Sequence, residues 1–444
     1  MTSIDGRVRF RPTRFVLPNG LTILHQENPD SPAVTMSLRF AAGAAFETSS
    51  TQGLAGFCAA MLKRGTEKRT KFQIGEHLDF TGALLGSGST RHTAYVGAKS
   101  RVVDFKSTLE LLGECAASAS FPVSEIEKLR GDILTAIQED RDDTRQITLD
   151  MLRTMVYTPE HPYAWRLLGT NESIQAVDRP TLVDFYRSHF GPDGAVLVVV
   201  GGVGADSARK AVESKLADWT IETGAQDLNG GGLAAALPNI PDAPGPEERT
   251  RKVQTMRNKA QADVVIGHPC LRRLDDDYYA AVVMNMILGS FAMGGRLGRN
   301  IREEKGMAYY AYSSLGAGVG PGPFVVRAGV HPDNVDAAVD AAFEEIERIR
   351  REPVSEEELA DAQSAIVRSM PRNLETNEGM ASALHSIEQY QLGLDYLERF
   401  AGFVDAVDVE QILATAEKRL HPDRCAVAVA GPYPTIDAGG AKTT

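Results

Sequence analysis

Cysteine is scarce. Cys58, Cys115, Cys270 and Cys425 are scattered through 444 residues with no C-x-x-C pair, which speaks against a disulfide framework and a cysteine-rich zinc site. No apolar run approaches the roughly 18 residues that mark a membrane-span candidate. The opening MTSIDGRVRFRPTRF has no apolar stretch of the signal-peptide kind, so a cytoplasmic location is expected. Basic residues are outnumbered 47 to 59, for a formal net charge of −12. That deficit argues against nucleic acid or an anionic membrane as partner. Histidines number nine, and no two stand three or four residues apart. No helix therefore offers a paired imidazole site. What is present, 43% hydrophobic and 24% charged residues, is ordinary for a soluble protein of two or three domains.

Taken in order, Pro18-Asn19-Gly20 between two apolar runs predicts a hairpin. A strand is expected at 33–41. Leu54, Phe57, Cys58, Met61 and Leu62 form the stripe of an amphipathic helix over 53–64. A helix near 73–81, a strand over 90–97 and a helix over 102–116 follow. Ser124 and Glu127 predict a capping box opening the helix that carries Ile126, Leu129, Ile133 and Ile137. Residues 180–189 read as helical, and the unbroken apolar run 195–200 as a buried strand. Leu228–Pro246 holds four glycines and four prolines, the composition of a linker.

The second half then repeats the first. Pro122-Val-Ser-Glu125 recurs as Pro353-Val-Ser-Glu356, a shift of 231 residues. Pro192-Asp193 with its apolar run to Gly201 recurs as Pro422-Asp423 with a run to Gly431, a shift of 230. Two landmarks moved by nearly the same distance point to a duplicated domain. The expected division is 1–227, a linker over 228–250, 251–434, and a flexible tail over 435–444. Each half reads as α+β, a sheet packed against helices.

The segment 294–315, GGRLGRNIREEKGMAYYAYSSL, predicts a helix that stops at Lys305-Gly306 and turns into a strand. Leu297 and Ile301 share one helical face. By spacing alone, Arg302 in the last turn complements the helix dipole and Tyr309 is a half-buried strand residue. The turn can also bring both side chains to one cleft wall. The sequence Arg302-Glu-Glu-Lys-Gly306-Met307-Ala-Tyr309 resembles the R-x-x-x-G-(L/M)-x-Y signature of the pitrilysin/insulinase (M16) zinc peptidases and the mitochondrial processing peptidases. In that family the Arg/Tyr pair holds substrate beside the zinc. His161-Pro-Tyr163 and Leu168-Gly169-Thr170 also resemble family segments, although a histidine before proline in a turn reads here as structural. The resemblance spans nearly the whole chain and implies two tandem homologous α+β domains of the metallohydrolase fold shared with the processing peptidases.

Active members carry H-x-x-E-H on an early helix, two metal ligands and a general base, with a later glutamate as third ligand. The matching frame here is Gly53–Thr66, and its Gly-Leu-Ala, Phe, Met-Leu and Gly-Thr all fit. Gly56 and Ala60 stand in the ligand positions, Ala59 in that of the base, and Ala136 in that of the third ligand. Cys58 beside them reads as a small buried hydrophobe. The resemblance thus implies a chain without catalytic zinc or other cofactor of its own. It suggests the Arg302/Tyr309-bearing subunit of a bacterial heterodimeric peptidase, inactive alone, whose homologous H-x-x-E-H partner holds the zinc. Unfolded peptides are the expected substrates. The alternative is a structural subunit without peptidase function, like relatives in respiratory complexes. A long glycine-rich loop ahead of the Arg/Tyr segment, expected of a substrate-recognising processing subunit, is missing.

Overall fold

The computed structural model describes residues 10–221, 232–290 and 294–433, with two short strand segments beyond. Two compact units emerge. The first comprises Met1–Ile137, Arg166–Pro238 and Met370–Glu398; the second comprises Gln138–Trp165, Asn239–Ser369 and Arg399–Thr444.

The first unit holds a six-stranded sheet in the order Thr13–Val16, Thr22–Glu27, Val196–Gly201, Ala33–Phe40, Ala94–Arg101, Leu84–Ser89. The second unit's sheet runs Thr250–Thr255, Ala426–Gly431, Ala262–Leu271, Gly322–Val330, Ala308–Leu315. Apart from the extra edge strand in the first, the orders correspond. Each sheet also has one parallel ladder, Thr22–Glu27 with Val196–Gly201 and Thr250–Thr255 with Ala426–Gly431. The remaining pairs are antiparallel. The sheets show the duplicated two-domain architecture, each sheet packed against helices, that the repeated landmarks predict.

Val196–Gly201 is wholly buried, and the reason lies on its two faces. Leu197 and Val199 join a core with Phe57, Met61, Leu112, Leu182 and Val212 from the helices on one side. Val196, Val198 and Val200 pack with Met380, Leu384 and Ile387 on the other. A strand covered on both faces carries no polar alternation, and this explains the continuous apolar run. Those last three residues belong to helix Asn377–Gln389, from the second sequence half. Reciprocally, Ile147 and Met151 of helix Thr144–Val156 pack on Ala428 and Ala430 of the second sheet. Each half supplies the far-face cover of the other's sheet, so the compact units are not the contiguous stretches 1–227 and 251–434.

Several local expectations meet corrections. The hairpin at Gly20 (φ +86°), the strand Ala33–Phe40 and the helices Leu54–Met61, Lys71–Thr81 and Arg179–His189 form as the patterns predict. The Ser124/Glu127 capping box does not. Helix Val123–Asp140 already includes Ser124, and the Glu127 carboxylate accepts from Arg130 at 3.0 and 3.1 Å. Strand Leu84–Ser89, LLGSGS, went unpredicted because its glycines and serines give no apolar alternation. The Gly/Pro-rich stretch begins outside the described residues. Its described part contains a short helix, Gly232–Ala236, with Leu233 buried against Leu24 and Val198. The expected tail lies largely outside the described residues.

Candidate functional site: an arginine and a tyrosine on one cavity wall

The helix that precedes Gly306 departs from α geometry. Gly298–Glu304 forms a π turn, in which Lys305 N–H donates to the Asn300 carbonyl at 3.1 Å, an i to i+5 bond. Such turns add a residue per circuit and concentrate at functional sites. Leu297 and Ile301 are fully buried and anchor the segment. Arg296, 6% exposed, grips Glu358 through two bonds of 2.7 and 2.8 Å. That pairing holds the Glu358 carboxyl down to about 2. Asn300 donates to Glu345 and Lys305 to Glu344. Three side chains are thus tied back to neighbouring helices, and Arg302 is exposed at the surface.

Gly306 (φ +62°) supplies the left-handed residue that reverses the chain. Strand Ala308–Leu315 then pairs with Gly322–Val330, and among the described residues it forms the sheet's outer edge. Its register shifts at the start: Tyr310 lies opposite Gly329 and Ala308 opposite Val330, which leaves Tyr309 as the extra residue of a bulge. A bulge re-aims a side chain. Tyr309 is accordingly 67% exposed, not the half-buried residue that spacing alone suggests. Arg302 and Tyr309, with Ser290, Gly298, Ala311 and Ser313, line one cavity of about 340 Å³. The structure brings both residues singled out in the sequence to the same wall.

The frame of the early helix tells a different story. Leu54–Met61 begins after Gly53 (φ +88°), and buried Glu47 accepts from the N–H groups of Gly53 and Ala55 at 3.0 and 2.7 Å. Ala59 is completely buried, whereas Gly56, Ala60 and Ala136 are half-buried. None carries a donor atom, so this residue set does not fit a zinc ion. Among the described residues no group of three or more His, Cys, Asp or Glu side chains is placed to hold a metal. His161 is committed to its turn: Nδ1 accepts from Tyr163 N–H, Nε2 lies 3.2 Å from the Pro241 carbonyl, and the ring stacks on Tyr157. Cys58 is fully buried, and burial pushes its thiol pKa well up.

Burial also lifts the Glu47 carboxyl to about 7 from an ordinary 4.5, against its two backbone donors and Arg91. The folded chain then holds this proton more tightly than the unfolded chain. Its contribution to stability is complete below pH 4.5 and lost as pH rises to about 7. Relative to the wild type, Glu47→Gln should gain up to about 3 kcal/mol across that window. Denaturant titrations at both ends of the window check this; a pH-independent difference would refute it.

Residues 22–170 match the family described as insulinase (peptidase family M16), and residues 176–366 match that described as peptidase M16 inactive domain. The chain belongs to peptidase family M16. An uncharacterized zinc protease of Bacillus subtilis is 23% identical over 94% of this M16 chain and 98% of that protein. The crystal structure of a peptidase M16 inactive domain from Pseudomonas fluorescens superposes with a TM-score of 0.85 at 22% identity, covering 95% and 98% of the two chains. A chain of Complex III2 from Candida albicans gives 0.77 at 18%, over 95% and 96%. These structural likenesses establish the M16 fold alone. No helix among the described residues is long and apolar enough to cross a membrane.

Sequence reasoning missed a second group on this M16 chain. Arg145, Asp263 and Arg327 meet Tyr310 and Tyr312 on the opposite face of the edge strand. The run of tyrosines was visible, but the three charged residues come from separate elements with no spacing to connect them.

Proposed function

We propose that this chain is the zinc-free subunit of a heterodimeric M16 peptidase, lending Arg302 and Tyr309 to a catalytic centre completed by a homologous partner. The observation that carries the reading is their shared cavity beside an outer strand, in a chain whose zinc-motif positions hold Gly56, Ala59, Ala60 and Ala136. A partner bearing H-x-x-E-H would supply the metal chemistry. This chain's residues bind and orient. An unfolded peptide adds along Ala308–Leu315 through main-chain hydrogen bonds. Arg302 holds a substrate carbonyl, and the Tyr309 hydroxyl donates to the scissile carbonyl oxygen as negative charge develops there. The π turn and the bulge keep both groups exposed and oriented before substrate arrives. A purely structural subunit would have no use for an exposed tyrosine on a bulge beside an exposed arginine.

Two measurements test this. The isolated chain should hold no stoichiometric zinc and cleave no peptide. Mixed with an M16 chain carrying H-x-x-E-H from the same genome, it should form a 1:1 complex with peptidase activity absent from either alone. Elemental analysis finding one tightly held zinc per chain refutes the first part. Native mass spectra showing only homo-oligomers with every such partner refute the second.

A further inference from the structure

On the face of the outer strand away from the Arg302/Tyr309 cavity lies a smaller hollow of about 210 Å³, lined by Arg145, Thr148, Val265, Tyr310, Tyr312 and Arg327. The register explains its shape. Tyr310, Gly329 and Asp263 face one another across three strands, as do Tyr312, Arg327 and Val265. Gly329 has no side chain, and a Cβ there would lie 2.4 Å from the Tyr310 ring. The ring therefore crosses the middle strand, and its hydroxyl reaches the buried Asp263 carboxylate. That carboxylate also accepts from Thr144 and Gln261. Helix Thr144–Val156 brings Arg145 over the Tyr310 ring at 5.1 Å.

The charges in the hollow do not balance. Two guanidiniums face one carboxylate, and Asp263 lies 3.9 Å from Arg145. Arg327 lies over the Tyr312 ring, and its buried Nε meets no hydrogen-bond acceptor among the described residues. Arg145 is exposed and Arg327 half-buried, so an anion can enter from solvent and meet both guanidiniums. The planar fork of arginine suits a carboxylate. At about 210 Å³ the hollow is smaller than the ~300–1,000 Å³ of a typical small-molecule site, the size for one side chain. Tyr310 and Tyr312 also border the Arg302/Tyr309 cavity. A peptide added along the outer strand turns alternate side chains to this face.

We infer that this hollow is a specificity subsite for an acidic side chain of the bound peptide, with Arg327 and Arg145 as the recognising groups. Arg327 stands two strand spacings from an added peptide, about 10 Å, so glutamate reaches it better than aspartate. The inference rests on the reading that the outer strand takes peptide, and the test separates the two. Fluorescence anisotropy of the full chain would compare extended labelled peptides in which one Glu is walked along a neutral host, each against its Gln and Asp counterparts. At one register Glu should bind roughly tenfold or more tighter than Gln, with Asp between. Arg327→Gln should abolish the difference and Arg327→Lys should keep part of it. Should Arg327→Gln fail to fold, Arg145→Gln at the exposed helix end serves instead.

N-acetylglutamate provides an arm that needs no strand addition. Compared with N-acetylglutamine, it should raise the melting temperature of the wild type and leave Arg327→Gln unchanged. Equal binding of Glu and Gln peptides at every register, with no protection by N-acetylglutamate, overturns the subsite. Protection by N-acetylglutamate without binding of any peptide keeps the carboxylate pocket and overturns strand addition.

Discussion

In the proposed complex with an H-x-x-E-H partner, Tyr309→Phe should lower kcat by about 10²–10³ with kcat/KM falling in parallel, the loss typical of one oxyanion donor. The argument is geometric. Tyr309 is the bulged residue of the outer strand and is 67% exposed, so removing its hydroxyl empties no core and breaks no fold. What disappears is a donor aimed at charge that exists only in the transition state. Arg302→Ala should instead act mainly on KM, because a grip on a substrate carbonyl is made in the ground state too. Neither change should weaken assembly, measured by native mass spectrometry. Unchanged turnover in Tyr309→Phe would mean that the phenol serves only the surface of the strand.

The second large effect is expected in folding. Gly201 and Gly431 end the equivalent central strands of the two sheets, with φ of +151° and +143°. A Cβ on Gly201 would lie 2.3 Å from the Ala33 carbonyl oxygen, and one on Gly431 would lie 2.6 Å from Ala262 Cα. Both obstacles are backbone atoms of the neighbouring strand, which cannot swing aside. Gly201→Ala and Gly431→Ala should each cost about 2–6 kcal/mol, combining backbone strain of ~1–3 with overpacking of ~1–3. Each should lower the unfolding temperature of its own unit. Gly75→Ala provides the control. It lies within helix Lys71–Thr81 with nothing within 4 Å of an added Cβ, and should stabilise by up to about 1 kcal/mol. Equal behaviour of all three variants would remove the argument from close strand approach.

Much of this M16 chain is legible without coordinates because its signals are local. Residues 54–62 show a helical stripe whose Leu54, Phe57, Met61 and Leu62 are indeed buried. The turn at Gly306 follows from one residue's freedom to adopt positive φ. The duplication shows as paired landmarks, and the sheets answer with corresponding strand orders. The absence of donor atoms at positions 56, 59, 60 and 136 is a matter of composition, and no fold can restore it.

Other features depend on contacts distant in sequence. A period of 3.6 residues cannot distinguish an α turn from the π turn at Gly298–Glu304, because their difference lies in which carbonyl each N–H finds. The bulge at Tyr309 exists only against the register of Gly322–Val330. The exchange of covering helices is likewise silent in sequence: an amphipathic stripe announces a buried face, not the sheet that will bury it. The hollow of Arg145, Tyr312 and Arg327 is the furthest from prediction, since it joins a helix of one sequence half to strands of the other. The sequence determined most of the elements, the duplication and the lack of donor atoms at positions 56, 59, 60 and 136. Tertiary structure alone decided which side chains meet, because long-range packing and strand register set those meetings.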